Sequence, residues 1–304
     1  MTYDVIIVGS GPAGLTAALY SSRRALKTLV LGKELGGQAI LPACVDNFPG
    51  VAKTDGVTLV NNWKTQVVEA GAELRYETVV GIERTEKLFK VKMVSGQEET
   101  ATAIILALGR TPRKLNVPGE AEFTSKGVAY CATCDAPLFS GKAVAVIGGG
   151  NAAVDAALLL AGIASKVYLI HRNRAFKAEA ALLDKLKISP VEIKLDTIVE
   201  EIKGEKVVTG IKIKQAANNQ SEELSVQGVF VEIGGDANTQ AVIGLVKLNN
   251  QQEIVIDELN RTSIPGIFAA GDATTVPFKQ MVIAAGEGAK SALSAYNYIQ
   301  TQGR

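Results

Sequence analysis

The residues best equipped for chemistry are Cys131-Ala132-Thr133-Cys134-Asp135. Two thiols are separated by two residues, and a carboxyl group follows at once. A Cys-x-x-Cys pair can close a small-loop disulfide, and either thiol can attack a disulfide elsewhere. The thiol pKa in such motifs is often lowered, which raises the thiolate fraction at neutral pH. The adjacent acid can carry the proton that thiol–disulfide exchange must move. Half a zinc site is the competing reading. Zinc usually takes four ligands from Cys, His or acid, and Cys44 and His171 are the only further Cys and His that could join such a set. Redox chemistry is the preferred reading, and the role of Cys44 is left open as a small buried or loop residue.

Two glycine-rich turns must position this chemistry. The first follows Val5-Ile6-Ile7-Val8, a β-branched run typical of a buried parallel strand. It reads Gly9-Ser10-Gly11-Pro12-Ala13-Gly14 and opens a helix carrying Leu15, Ala18 and Leu19. Strand, Gly-x-Gly-x-x-Gly and helix in that order fit a dinucleotide site. The glycines permit the turn, and the helix N-terminus offers NH groups to a pyrophosphate. The next strand, Thr28 to Leu31, ends at Gly32 rather than at the acid expected roughly 20 residues on; Glu34 is the nearest. Gly36-Gly37-Gln38 and Asp46-Asn47-Phe48-Pro49-Gly50 are loops suited to lining a flat ligand.

The second half repeats the opening. The strand Ala143 to Ile147 runs into Gly148-Gly149-Gly150-Asn151-Ala152-Ala153, and a helix continues from Val154 to Ala161. The following strand, Lys166 to Ile170, ends at His171-Arg172-Asn173-Arg174, with Lys177 beyond. Cations at this place suit a 2′-phosphate; a solvated basic surface is the plainer alternative. His171 is equally suited to a structural and to a ligand-contacting place. Residues 55–70 read as an amphipathic helix with Trp63 in the core. A buried strand ends at Gly271-Asp272, where the acid can hold a sugar hydroxyl, and a final helix spans about Lys279 to Ile299.

Composition narrows the classes. The 304 residues suggest about two domains, and 47% hydrophobic content supports real cores. Lys plus Arg is 32 against 31 for Asp plus Glu, a balance of +1 that indicates neither nucleic acid nor a polybasic membrane surface as partner. No apolar run approaches a membrane span of roughly 18–20 residues, and the N-terminal residues lack a secretory pattern. With three cysteines, the expected compartment is the reducing cytoplasm.

From about Asp4 to Tyr298 the chain resembles the low-molecular-weight thioredoxin reductases of the two-dinucleotide-binding flavoprotein superfamily, class II of the pyridine nucleotide-disulfide oxidoreductases. Cys131-Ala132-Thr133-Cys134-Asp135, Gly148-Gly149-Gly150-Asn151-Ala152-Ala153 and Phe268-Ala269-Ala270-Gly271-Asp272 carry the resemblance most specifically. It implies an α/β fold of two Rossmann-like three-layer dinucleotide-binding domains, the second inserted in the first. FAD is expected in a discontinuous domain of residues 1–112 and 244–304. The matching positions are Gly9, Gly11, Pro12, Ala13, Gly14, Gly32, Gly37, Gln38, Asn47, Gly109, Gly271, Asp272, Lys279, Gln280 and Met281. NADPH, with NADH as the alternative, is expected in residues 113–243, at Gly148, Gly150, Asn151, Ala152, His171, Arg172 and Lys177.

The implied reaction passes hydride from NADPH to FAD. Electrons then move to the Cys131–Cys134 disulfide and on to thioredoxin or a thioredoxin-like carrier. Cys134 faces the flavin, Cys131 attacks the partner, and Asp135 handles the proton. The family also implies a homodimer. It implies a domain rotation too, with hinges near 112–118 and 234–241. The sequence departs from the family's His-Arg-Arg at His171-Arg172-Asn173, has Lys177 for a later Arg, Leu108 for a usual Thr and Ala237 for a common Pro. Thr275-Val276-Pro277-Phe278-Lys279-Gln280 is closer to the flavoprotein component of alkyl hydroperoxide reductases. The rival expectation is thus a reductase using NADH or another donor and serving a peroxiredoxin- or glutaredoxin-like carrier. A non-catalytic FAD- or zinc-binding protein is the rival from another class.

Overall fold

The computed structural model describes residues 2–42, 44–216 and 219–302. In chain order the first elements are β1 (Thr2–Val8), α1 (Pro12–Ser22), β2 (Thr28–Leu31), α2 (Gly56–Glu69), β3 (Glu73–Arg75), β4 (Val79–Arg84), β5 (Phe89–Met93), β6 (Glu98–Leu106) and β7 (Arg110–Pro112). Then come β8 (Val128–Ala129), α3 (Ala132–Asp135), β9 (Ala143–Ile147), α4 (Asn151–Ala161), β10 (Lys166–Ile170), α5 (Ala180–Lys187) and β11 (Glu192–Lys194). The chain continues through β12 (Thr197–Gly204), β13 (Val208–Gln215), β14 (Ser221–Leu224), β15 (Gly228–Val231) and β16 (Gly235–Ala237). It ends with β17 (Ile267–Ala269) and α6 (Met281–Gln302).

Two compact units result. One comprises the residues up to Thr111 together with those from Asp236 on; the other is Pro112–Gly235. The second crossing falls earlier in the chain than residue 244. The cause is apolar: Ala237 and Val242 are buried in the core of the first unit with Ile6, Leu106 and Ile254. The Thr239 hydroxyl also donates to Gln252 O at 2.9 Å.

In the first unit the sheet order is β3-β2-β1-β6-β5-β4, with β17 also pairing β6. β1 runs parallel to β2 and β6, as β17 does to β6. The unbroken apolar run of β1 reflects burial on both faces. Val5 and Ile7 pack on the side of α1 and α6, with Leu15, Ala292 and Ala295. Ile6 and Val8 face the opposite core with Phe89, Val91 and Ile254. Trp63 packs against the helical side and meets Phe48 with ring centroids 5.3 Å apart.

The second unit repeats this plan. Its sheet is β11-β10-β9-β15-β8, with β9 parallel to β10 and β15. Val144 and Val146 face α4 and α5, whereas Ala145 and Ile147 face the antiparallel layer β12-β13-β14 through Val199, Ile211 and Ile213. Each unit is therefore a Rossmann-like sheet between helices and a second apolar layer, and the second is inserted in the first.

Close helix packing in the first unit depends on Gly288 of α6. A Cβ there would overlap the carbonyl oxygen of Ala13 and lie 3.0 Å from its Cα. Both are backbone atoms, so nothing flexible can yield. Gly288→Ala should therefore lower stability by about 1–3 kcal/mol, as over-packed cores do. Urea unfolding checks this, and an unchanged midpoint would contradict it.

Candidate redox site and nucleotide turns

In the first unit the turn Gly9–Gly14 joins β1 to α1. Gly9 N donates to Leu31 O at 2.7 Å, and Gly9 sits at φ +114°, a region open to glycine. A Cβ on Gly9 would overlap Ala107 O, at the end of neighbouring β6. α1 begins with Gly11 as its N-cap, Pro12 follows inside, and no side chain caps the free amides. That donor set fits a pyrophosphate.

Several of the expected FAD residues gather at the same edge of the sheet. Gly36 N donates to Ser10 O at 2.8 Å, and Gly37 lies against Gly11. Gly271, at φ +76°, is wedged between Ala13 and Ala284. This holds Asp272 and the start of α6, with Gln280 and Met281, near the turn. Gln38 and Asn47 are exposed on neighbouring loop structure, and Gly109 adopts φ +67° in open space. Gly32 differs. Its N–H donates to Arg75 O, its carbonyl accepts from Glu77 N, and Ser10 fills the place of its missing side chain.

Beside Asp272 lies a charged group drawn from distant parts of the chain. Glu253 Oε1 is 3.0 Å from Arg110 and 3.4 Å from Lys279 Nζ, which also donates to Thr274 O at 2.6 Å. Burial alone would raise Glu253, but the Asn249 hydrogen bond and the two cations outweigh it and hold its pKa low. Burial raises Asp272, partly offset by Lys279 and Arg110. Burial lowers Lys279 against the pull of Glu253. Neither Arg110 nor Glu253 stands in a recognisable motif, so sequence patterns did not single them out.

The second unit carries the same turn. Gly148 N donates to Ile170 O at 3.0 Å, and a Cβ on Gly148 would overlap Glu232 O. Gly150 is the N-cap of α4, again without a side-chain cap. Asn151 and Ala152 are exposed at the start of α4. The Asn151 side chain pairs with Glu179, donating to Oε1 and accepting from the backbone N, both at 2.8 Å. Lys177 N donates to Gly149 O at 2.7 Å, which folds the basic segment over the turn and leaves Arg172 and Lys177 exposed there.

His171 lies beneath this segment. Its ring occupies the space a Gly149 side chain would need and stacks on Phe176, with centroids 5.5 Å apart. Its Nε2 is buried without a hydrogen-bond partner. Burial is the main cause lowering its pKa, aided by Arg172 and Lys177 against a backbone bond at Ala175. The imidazole is therefore neutral and packs as a wedge.

Cys131 and Cys134 are joined by a disulfide with Cα atoms 5.3 Å apart. Cys131 is the N-cap of the single-turn α3, and Cys134 N donates to its Sγ at 3.2 Å. After reduction that amide favours the thiolate on Cys131. Asp135 closes the turn, half-buried, and loss of hydration pushes its pKa up to about 6. Glu232, which sequence patterns passed over, reaches the same turn: its Oε1 accepts from Ala132 N at 3.1 Å. Cys44 is a free, half-buried thiol. Among the described residues no group of three or more His, Cys, Asp or Glu side chains could hold a metal ion, and no helix is long and apolar enough to cross a membrane.

Two dinucleotide turns in separate Rossmann-like units, one of them bearing a disulfide with an acid beside it, define the class of two-domain pyridine-nucleotide disulfide oxidoreductases. Residues 3–288 match the family model "Pyridine nucleotide-disulphide oxidoreductase". The thioredoxin reductase structure from Streptococcus pyogenes superposes with a TM-score of 0.94 at 34% identity, covering 99% of both chains. That from Giardia duodenalis gives 0.92 at 36% identity, covering 98% of this chain and 99% of the other. The F component of alkyl hydroperoxide reductase from Pseudomonas putida is 41% identical over 308 residues, 98% of this chain. The chain spans 58% of that relative's length. The chain belongs to the pyridine nucleotide-disulphide oxidoreductase family, in the group of low-molecular-weight thioredoxin reductases and their relatives.

The raised pKa of Asp135 fixes a sign. A carboxyl that titrates near 6 in the fold and near 3.8 unfolded binds more protons when folded between those values. Its contribution therefore turns against the folded state as pH rises through that window. Asp135→Asn should match wild type near pH 4 and exceed its melting temperature above about pH 6. A melting difference independent of pH would refute the assignment.

Proposed function

We propose that the chain is an FAD-dependent disulfide reductase that uses NADPH and passes electrons through Cys131–Cys134 to thioredoxin or a thioredoxin-like carrier. The observation that carries this reading is the disulfide on a helix start in one nucleotide-type unit, with a half-buried acid in the same turn. FAD supplies a two-electron acceptor between the nicotinamide and the disulfide.

The chain's own residues do the rest. The amides of Gly11, Ala13 and Gly14 receive the FAD pyrophosphate, and Asp272 accepts from a sugar hydroxyl. Gly148, Gly150, Asn151 and Ala152 form the nicotinamide-nucleotide turn, while Arg172 and Lys177 meet the 2′-phosphate. His171 acts beneath them, propping the turn through Gly149. Cys134 is the sulfur that takes electrons. Cys131, with its thiolate favoured by Cys134 N–H, attacks the carrier. Asp135 gives and receives the proton. The pair belongs to the other unit than the FAD turn, so a rotation about the two crossings, at β7 and β16, completes the route. A homodimer in a reducing cytoplasm is part of the same proposal.

Identity of 41% with the F component of alkyl hydroperoxide reductase favours a second reading, in which the carrier is a peroxiredoxin-type protein and NADH the donor. Energetics separates carriers. Thioredoxin lies near roughly −270 mV, and about 30 mV is tenfold for a two-electron couple. A Cys131/Cys134 couple about 60 mV more oxidising would make that transfer roughly 100-fold uphill and favour the second reading.

Two variants test the proposal. Cys134→Ser should leave the bound flavin reducible by NADPH, seen as bleaching, while carrier reduction falls to background. Wild-type carrier reduction would exclude the pair as relay. Arg172→Ala should raise the KM for NADPH at least tenfold more than that for NADH, the scale of a lost charge-assisted pair. Equal changes would remove the 2′-phosphate assignment.

A further inference from the structure

Position 232 has a counterpart in the first unit. Glu232 N donates to Ile147 O at 2.8 Å, and its carbonyl abuts Gly148. Ala107 N donates to Val8 O at 2.8 Å, and its carbonyl abuts Gly9. A methyl group thus meets every need of the turn itself. The carboxylate of Glu232 does something else: it reaches Ala132 N–H, next to Cys131 and inside the turn of the disulfide. Ala132 is buried, so water does not compete for this bond.

The surroundings disfavour a charge on Glu232. Burial and the carboxylates of Asp135, on α3, and Asp155, on α4, push its pKa up to about 7 against the pull of Ala132 N–H. Two further groups lie on the flanking backbone. Arg113 stands 3.7 Å from the place of a Gly234 side chain, and the neutral His171 packs against Gly149. The reducible sulfurs themselves sit on the turn Glu232 holds.

We propose that Glu232 is a positioning residue of the disulfide chemistry, holding the Cys131–Cys134 turn through Ala132 N–H and taking up a proton when that pair is reduced. This rests on the pair being the redox centre proposed above. Two electrons break the Cys131 Sγ–Cys134 Sγ bond. One proton makes Cys134 a thiol, and Cys131 remains a thiolate. That new negative charge draws a second proton from solvent onto the Glu232 carboxylate. Reoxidation by the carrier, which takes both electrons and the Cys134 proton, returns the Glu232 proton to solvent.

The experiment equilibrates the 304-residue chain with reduced and oxidised dithiothreitol at several pH values, a reduction that needs no flavin or nicotinamide. Wild type and Glu232→Gln, whose amide oxygen still accepts from Ala132 N–H, should have equal reduction constants near pH 5.5. They should diverge above pH 7, the variant becoming about tenfold easier to reduce by pH 8, as one fewer proton is taken up. Glu232→Ala, which loses the hydrogen bond as well, should show slower carrier reduction that Glu232→Gln restores at pH 6. Infrared difference spectra of wild type at pH 7.5 should gain a protonated-carboxyl band on reduction, absent from Glu232→Gln. Parallel pH curves, no rescue by Gln, or no such band in wild type would overturn the proposal. A pair that responds as expected to dithiothreitol but receives no electrons from nicotinamide would instead count against the proposed function alone.

Discussion

A missing carbon atom at two positions governs both units. Gly9 and Gly148 each lie where the strand before them hands over to a helix, and each presses its Cα on a carbonyl oxygen from the adjacent strand. Those carbonyls, of Ala107 and Glu232, are fixed by the parallel pairing of β1 with β6 and of β9 with β15. A side chain at either glycine would have to displace backbone on a central strand, which no rotamer change can relieve. The close approach in turn lets α1 and α4 start directly beyond the strand ends, with their uncapped amides directed at the crevice outside the sheet. An open α/β sheet binds its ligands at that crevice.

The two copies of this frame differ just past the strand ends. In the first unit the position after β6 is Ala107, and the crevice receives Asp272 and the Arg110–Glu253–Lys279 group. In the second the position after β15 is Glu232, and the crevice receives the basic stretch that His171 supports from below. Backbone geometry is common to both, while charge is assigned separately by residues that the frame leaves free to vary. The fold therefore explains where each unit can bind, and only the side chains beyond the strands explain what it binds.

The frame was legible in the sequence because it is local. β-branched runs buried on both faces, glycines at fixed offsets and an apolar helix face mark β1, β9, α1 and α4 without knowledge of their neighbours. The disulfide and Asp135 were legible for the same reason. Residues whose role depends on distant partners were not. Glu232 stands between an apolar strand and a glycine pair, and its partner Ala132 is a hundred positions away. Arg110 and Glu253 are separated by 143 positions and meet only in the folded first unit. His171 was visible as a strand-end residue, yet its burial depends on Gly149 having no side chain to exclude the ring. Residues 236–243 read as part of the inserted unit, but Ala237 and Val242 are drawn back by the first unit's core.

The electrostatics around the disulfide are divided. Cys134 N–H favours negative charge on Cys131, whereas the half-buried carboxyls of Asp135 and Glu232 oppose any accumulation of it. A dithiol turn with the amide alone would stabilise its thiolate permanently and hold it as a poor nucleophile, since nucleophilicity falls with thiol pKa. Carboxyls alone would keep both sulfurs protonated and inert. Combined, they favour one thiolate and one thiol, with the thiolate on the N-capping sulfur. Among the described residues neither acid has a paired cation to neutralise it. Burying them without one costs stability, so their place beside the pair is accounted for by the proton chemistry proposed for it and not by the fold.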